Sequence, residues 1–591
     1  MKKKNNLSEL MSYAGRHKYL TYSSLALSVV SAALALLPFV FIFFIIKEII
    51  EVAPNYSQAV NVVRNGWLAV AFALISIVVY FGALMCSHLS AFRIAGNMRK
   101  TLLTHIAKLP LGFIGEMGSG KIRRIVNDSS AATETYLAHQ LPDMAGAIAA
   151  PLGMIIMLFL FDWRFGLICL VPVVLGFASM FKMAGPAMAE DMKLYQDALS
   201  DMNNEAVEYV RGVPVVKTFG QTVHTFKRFK GSIDSYYKYC ISYCKKCRMP
   251  MLLYTVFINS AFAFLITLAL ILAGGKAVSQ SVLLGFIFYV IFTPVIATSM
   301  TKVMYISENG MIVGDALSRV HTILDMKPLP EAQSYTSPKD NSVEFRNVSF
   351  RYSGAETDAL SGVSFSVKPG ETVALVGPSG GGKTTAAGLI SRFWDVSGGE
   401  IRVGGVNVKN IKKSELMETV AYVFQDSRLL KTSILENVRL SKPSASRKEV
   451  ENALHKAQCD DIIAKLPNGI DTVIGTKGVY LSGGEQQRIA IARVMLKNAP
   501  IIVLDEATAF ADPENELLVQ RAFEELSKNK TVIIIAHRLT TVRNADRIFV
   551  MKDGRAVESG NHESLVEKNG LYAKMWQDYQ TSVSWKVGGA I

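Results

Sequence analysis

The stretch GPSGGGKT, Gly377 to Thr384, follows the apolar run Thr372–Val376 and precedes the helix-compatible run Ala386–Phe393. A strand, a glycine-rich loop and a helix in that order point to an α/β nucleotide domain in the second half of the chain. Gly377, Pro378, Ser379, Gly380, Gly381 and Gly382 form the loop, where glycine lets backbone N–H groups approach phosphate oxygens. Lys383 is spaced to reach β- and γ-oxygens, the Thr384 hydroxyl suits Mg²⁺, and Thr385 follows in the first helical turn. A chance glycine turn carrying Lys-Thr would not account for the strand before it and the helix after it.

Downstream, the apolar run Ile501–Leu504 ends in Asp505-Glu506. One carboxylate there can hold Mg²⁺, directly or through water, and the next can orient or deprotonate an attacking water. Adjacent acids at a strand end are common, so this pair gains its meaning from the phosphate loop. The segment LSGGEQQR, Leu481 to Arg488, adds a second glycine turn opening a helix, with Ser482 and backbone amides available to an anion.

The first half differs in composition. Hydrophobic residues make up 50% of the 591 residues, and the mean hydropathy of +0.26 is too apolar for an ordinary soluble enzyme. The excess lies before about Thr301 in six windows without Lys, Arg, Asp or Glu: Tyr19–Ile46, Asn65–Phe92, Met144–Phe161, Phe165–Phe181, Met249–Gly275 and Ala277–Thr301. Each meets or approaches the ~20 residues that cross a hydrocarbon layer. Six membrane helices are expected, and the first window is too long for a cleaved leader.

Positive charge sets the expected orientation. Lys2, Lys3, Lys4, Arg16 and Lys18 precede the first window, and the long loops after the second and fourth carry Arg93, Arg99, Lys100, Arg123, Arg124, Lys227, Arg228, Lys245, Lys246 and Arg248. Those segments, the N-terminus and the nucleotide domain are expected in the cytoplasm of a multi-pass protein of the cell membrane, plasma or inner. The net charge of +14 then needs no nucleic-acid partner.

His321–Ser342, with Pro328, Pro330 and Pro338, reads as a linker. The expected organisation is a membrane domain over residues 1–320, a linker over 321–342 and the nucleotide domain over 343–580. About 50 and about 65 residues separate windows two and three and windows four and five, too long for ordinary loops, so the helices are expected to run on into the cytoplasm. Leu111–Lys121 and Gly212–Gly220 would be their turning points and candidate contacts for the nucleotide domain; a solvated turn is the alternative. The six cysteines do not suggest an oxidised scaffold, and Cys240, Cys244 and Cys247 lack the second pair that would complete a zinc set.

The ordered set Tyr352, GPSGGGKT, Gln425, LSGGEQQR, Asp505-Glu506, Asp512 and His537 resembles ATP-binding cassette proteins over roughly Ser342–Gln580. With six preceding helices and long cytoplasmic insertions, nearly the whole chain looks like an exporter-type ABC half-transporter. The resemblance implies ATP and Mg²⁺ as cofactors and ATP hydrolysis coupled to transport. It implies adenine stacking by Tyr352, Mg²⁺ held by Thr384, Gln425 and Asp505, and Gln425 linking that region to the membrane domain. It also implies Glu506 and His537 as catalytic residues, the latter on the γ-phosphate, and Asp512 in the D-loop. Leu481, Ser482, Gly483, Gly484 and Glu485 of one subunit would close on the phosphate loop of another, so an identical or similar half-transporter is the expected partner. Read alone, Tyr352 stays open as a strand aromatic and His537 as a core histidine.

Two departures from the usual pattern stand out. Ala509-Phe510-Ala511-Asp512 replaces a Ser-Ala-Leu-Asp run, and Gly475-Thr476-Lys477-Gly478 lacks the usual acidic residue. EATAFADPENE, Glu506–Glu516, with EYVRGVPVVKTFG, Glu208–Gly220, resembles the yersiniabactin- and mycobactin-type importers, which implies a metal-siderophore as the small-molecule substrate. Export of a lipid, peptide or drug-like molecule is the alternative. A soluble cassette ATPase is opposed by the six windows, and an ATP-regulated receptor or channel by Glu506 and His537. Phe39, Phe41, Phe43 and Phe44 near Pro38, and Phe286, Phe288, Tyr289 and Phe292 near Pro294, are candidates to line a membrane cavity, with a lipid-facing or packing role the commoner one for any single ring. Asn259 and His88 are the polar exceptions worth testing, with a helix-to-helix hydrogen bond as the ordinary role for each.

Overall fold

The computed structural model describes residues 6–181, 186–218, 227–274, 279–304, 306–425, 428–475, 479–505, 513–536 and 539–584. The chain forms two compact units, one of Met1–Ile106 with Arg123–Asp325 and the other of Ala107–Ile122 with Met326–Ile591.

The first unit is helical. Among the described residues, five helices are long and apolar enough to cross a membrane, and the bent pair Lys227–Asn259 and Ala261–Ala273 makes a sixth when taken as one span. Each of the six windows overlaps one of these helices over most of its described residues. The Val62–Lys108 helix has 47 residues, about 70 Å, against a hydrocarbon layer of roughly 30 Å. The Pro186–Thr218 and Lys227–Asn259 helices likewise run far beyond the apolar windows. Ion pairs from Lys246 to Asp191 (2.5 Å) and from Arg228 to Glu205 (2.7 Å) join these two, with Tyr195 stacked on Tyr243.

The core of this unit gathers Phe165, Phe288, Tyr289 and Phe292, all essentially inaccessible. Phe43 packs on Phe161 and Phe288, and Phe39 on Phe292. These proline-flanked aromatics are therefore mainly packing groups, and the Tyr289 hydroxyl donates to the backbone carbonyls of Leu158 and Asp162. Thr21, Ser24, Ser28 and Ser31 form a buried small-residue stripe on the first span. Two of them reach the second span, Thr21 with the Ser90 hydroxyl (2.6 Å) and Ser31 donating to the Ser76 carbonyl (2.8 Å). Small side chains permit such close approach of membrane helices.

In the second unit, β1 (Val343–Phe350), β2 (Leu360–Val367), β4 (Gly398–Val403) and β5 (Val406–Asn407) form an antiparallel sheet in the order β2-β1-β4-β5. A six-stranded sheet runs β10-β9-β3-β8-β7-β6. Its strands are β3 (Thr372–Val376), β6 (Val420–Val423), β7 (Ile501–Asp505), β8 (Thr531–Ile535), β9 (Arg547–Lys552) and β10 (Arg555–Gly560). All its pairings are parallel except β9 with β10.

β7 is buried along its whole length, as a covered parallel strand must be. Ile501 and Val503 enter the core shared with the antiparallel sheet, while Ile502 and Leu504 enter a second core built with the helices around Gly483–Lys497. The proline-bearing segment is docked rather than free. Arg392 donates to the Pro330 carbonyl, and the Thr336 and Lys339 amides donate to those of Asn410 and Gly404. The Ile306–Leu324 helix covers the first four residues of the expected linker.

Candidate nucleotide site

Parallel register puts the functional strand ends side by side. Leu375 of β3 and Asp505 of β7 both pair with Ile535 of the intervening β8, so the phosphate loop and the Asp505 carboxylate leave one edge of the sheet two strands apart. Ligands of open α/β sheets bind at such carboxyl edges.

The loop needs its glycines for space and for backbone angle. A Cβ on Gly377 (φ +138°) would lie 2.0 Å from the Met551 carbonyl oxygen, and one on Gly382 (φ +93°) would lie 2.6 Å from that of Ala359. Both positions are closed to any other residue without local rearrangement. Gly382 then caps the Lys383–Ile390 helix. Lys383 is 4% exposed, and its Nζ donates to the carbonyls of Gly377 (2.8 Å) and Pro378 (3.0 Å), which curls the loop around the ammonium. The arrangement combines a helix N-terminus, open backbone and a buried cation, the three elements of a polyphosphate cradle.

Thr384 lies opposite Asp505, with Oγ1 to Oδ1 at 3.4 Å, and Tyr422 donates to Asp505 Oδ2 at 2.8 Å. Burial first, and then the adjacent Asp505 charge and hydrogen bond, push the Tyr422 hydroxyl far above its ordinary value, so it stays a donor. Sequence reading missed Tyr422, which pairs with Val503 in the β6–β7 register and so reaches Asp505, two residues further along the same strand face. Gln425 is exposed just past β6, on the same edge.

Tyr352 is half-buried, its hydroxyl on Thr385 Oγ1 at 2.8 Å and its ring edge-on to Phe350 and Trp394. Trp394 carries a second contact, because the Leu111–Met117 helix belongs to this unit. The Gly112 amide donates to the Phe393 carbonyl, and the Trp394 indole N–H donates to Glu116 (2.9 Å). Of the two expected turning points, Leu111–Lys121 thus meets the nucleotide unit, while in Gly212–Gly220 residues 212–218 still belong to the Pro186–Thr218 helix and residues 219–220 lie outside the described residues.

Ser482 begins the Gly483–Lys497 helix with a capping box. Its hydroxyl accepts from the Glu485 amide, and its own amide donates to the Glu485 carboxylate. Leu481, Gly483 and Gly484 complete that turn. Arg488, the last residue of the signature stretch, is buried and held by Asp461 and Asn515, so it anchors the helix. Glu506, Asp512 and His537 lie outside the described residues. Among the described residues, no three His, Cys, Asp or Glu side chains converge on a metal, the Cys240, Cys244 and Cys247 group included.

This geometry agrees with sequence relationships. The family described as ABC transporter matches residues 360–509, and the ABC transporter transmembrane region matches residues 25–300. The chain is 36% identical over 83% of its length to the mycobactin import ATP-binding/permease protein IrtA of Mycolicibacterium smegmatis, and 34% identical over 94% to that of Mycobacterium tuberculosis. It spans 57% and 65% of those two longer relatives. It is also 33% identical to the ATP-dependent lipid A-core flippase of Haemophilus influenzae, over 82% of each chain. The solved structure of a bacterial Atm1-family ABC exporter with ATP bound matches with a TM-score of 0.71 and 25% identity, over 95% of this chain and 98% of that one. The chain belongs to the ABC transporters, as a half-transporter that joins an exporter-type helical membrane region to an ATP-binding cassette in one polypeptide.

Proposed function

We propose that the chain is one half of an ATP-driven importer of metal-siderophore complexes. It works as a dimer with an identical or similar half-transporter in the plasma or inner membrane, its N-terminus and cassette cytoplasmic. The observation that carries the importer reading is the 36% and 34% identity to proteins named for mycobactin import. In this reading residues 1–320 are the membrane half, 321–342 the linker and 343–580 the motor.

Gly377–Gly382 and Thr385 bind the ATP phosphates, Lys383 neutralises β- and γ-oxygens, and Tyr352 takes the adenine. Thr384 and Asp505, already face to face at 3.4 Å, hold Mg²⁺ with Gln425. The ion supplies positive charge against the phosphate oxygens. Glu506 draws the proton from water and His537 contacts the γ-phosphate, while Leu481–Glu485 and Asp512 act across the dimer. The lipid bilayer is the surrounding partner, and no nucleic acid is involved.

Outward movement of an amphipathic lipid is the second reading, favoured by the lipid A-core flippase relative matching over 82% of both chains. Direction separates the two. In proteoliposomes with the cassettes outside, external ATP should draw an iron-loaded siderophore out of the lumen, and Glu506→Gln should stop it. ATP-dependent luminal accumulation of a lipid substrate, with no response to any metal chelate, would overturn import.

A further inference from the structure

Within the membrane unit, two antiparallel segments bring four nitrogen and oxygen side chains into one strip that the nucleotide chemistry does not use. His88, on the Val62–Lys108 helix, faces His139 with ring centroids 4.6 Å apart and planes at 82°. Ser87 donates to the Ala138 carbonyl at 2.7 Å and fixes that register. Eight residues before His88 and four after His139, Tyr80 donates to the Asp143 carboxylate. The two contacts therefore stack along the same pair of helices.

Three features set this strip apart from packing. Tyr80 and His88 lie inside a window otherwise free of charged residues, where an ionisable group is costly unless it serves a function. His139 sits in a π-helical turn, Tyr136–Gln140, a local widening that recurs at functional sites. His139 and Asp143 are exposed while His88 and Tyr80 are half-buried, so the strip is open along one side.

Two imidazoles suit a late first-row divalent metal such as copper, nickel or zinc. Among the described residues, no three His, Cys, Asp or Glu side chains converge here, so a bare ion would find no closed site. The remaining donors must arrive with the metal.

We propose that His88 and His139 recognise the metal of a transported chelate that leaves coordination positions open. The imidazoles replace two weakly held waters, and Tyr80 and Asp143 face the polar groups of the chelator. This deepens the import reading and rests on it. A hexadentate ferric chelate, with no open position, would not be read by this pair.

The test uses the full-length dimer in nanodiscs, free of any affinity tag, with Cu(II)–nitrilotriacetate as the open chelate and Cu(II)–EDTA as the saturated one. We expect wild-type protein to bind the open chelate at about one equivalent per chain, with nitrogen superhyperfine lines from two further nitrogens in the EPR spectrum. His88→Gln and His139→Gln should each weaken binding at least tenfold, with ATP binding unchanged as a check on folding. Absence of binding to wild-type protein, or an unchanged affinity and spectrum in the double variant, overturns the proposal whatever the variant's stability. ATP-driven inward transport of a saturated ferric siderophore alongside a negative copper result would sink this inference and leave import standing. Outward transport would remove the import reading on which the inference rests, whatever the copper result.

Discussion

Arg488 and Asp461 form a two-pronged ion pair, Nη1 to Oδ1 at 2.6 Å and Nη2 to Oδ2 at 3.0 Å, with the arginine side chain 1% exposed and the aspartate 42%. The signature helix is thus tied to the preceding Asp460–Lys465 helix by a guanidinium that has left water almost entirely.

Removing the carboxylate strands that buried charge. Asp461→Ala should destabilise the cassette by about 3 kcal/mol, the lower end of the cost of breaking a buried pair, since the aspartate itself keeps solvent contact. The shift in the urea unfolding midpoint measures this. Burial raises the Asp461 carboxyl, but the hydrogen bonds and charge of Arg488 outweigh it and hold it below its ordinary value. A lowered carboxyl stabilises fully above the unfolded value of about 4 and loses that contribution as pH falls through the folded value. The gap between wild type and Asp461→Asn should therefore be full at pH 7 and shrink below about pH 4.

Lys383→Ala removes the buried cation from the phosphate cradle. A charge-assisted hydrogen bond contributes about 1.5–3 kcal/mol, so ATP affinity should fall roughly 10- to 150-fold. Isothermal titration with the variant checks this. An unchanged Kd would show that Lys383 serves only to hold the Gly377 and Pro378 carbonyls.

Gly112→Ala places a Cβ 2.0 Å from the Trp394 ring. Relieving such an overlap costs about 1–3 kcal/mol, which should loosen the 107–122 segment and break the indole bond to Glu116. Trypsin cleavage at Lys108 and Lys121 should accelerate about 5- to 150-fold, following the population of the open form. Equal cleavage rates would mean that the indole turns aside at no cost.

Cys459 is fully buried beside the signature helix, and burial pushes its thiol up to about 12. The thiolate is the reactive species, so N-ethylmaleimide at pH 8 should leave Cys459 unlabelled in folded protein while modifying the exposed Cys244. Peptide mass spectrometry before and after unfolding in urea reads the difference.

The nucleotide motifs and membrane windows were legible because each is a local pattern. Gly377–Thr384 declares its strand, loop and helix within a few residues, and a charge-free run of membrane length has few other uses. Tyr422, Arg488 and Trp394 were opaque for the opposite reason. Each acquires its role from a partner at least 27 residues away, Asp505, Asp461 and Glu116 respectively. Register and tertiary contact assign those roles, and composition carries no trace of them. The aromatics near Pro38 and Pro294 suited either a cavity or a core, and only the Phe43 and Phe288 contacts decide for packing.

Because the Leu111–Met117 helix folds with the cassette, the two halves of this chain are not interchangeable parts. A membrane half grafted from another transporter must bring glycine to the place of Gly112, or its first side-chain carbon strikes the Trp394 ring. A cassette cut free after Asp325 would carry that indole without its cover, and would invite self-association in solution. The natural seam for exchanging motors between transporters therefore runs around residues 107–122 as well as through the linker.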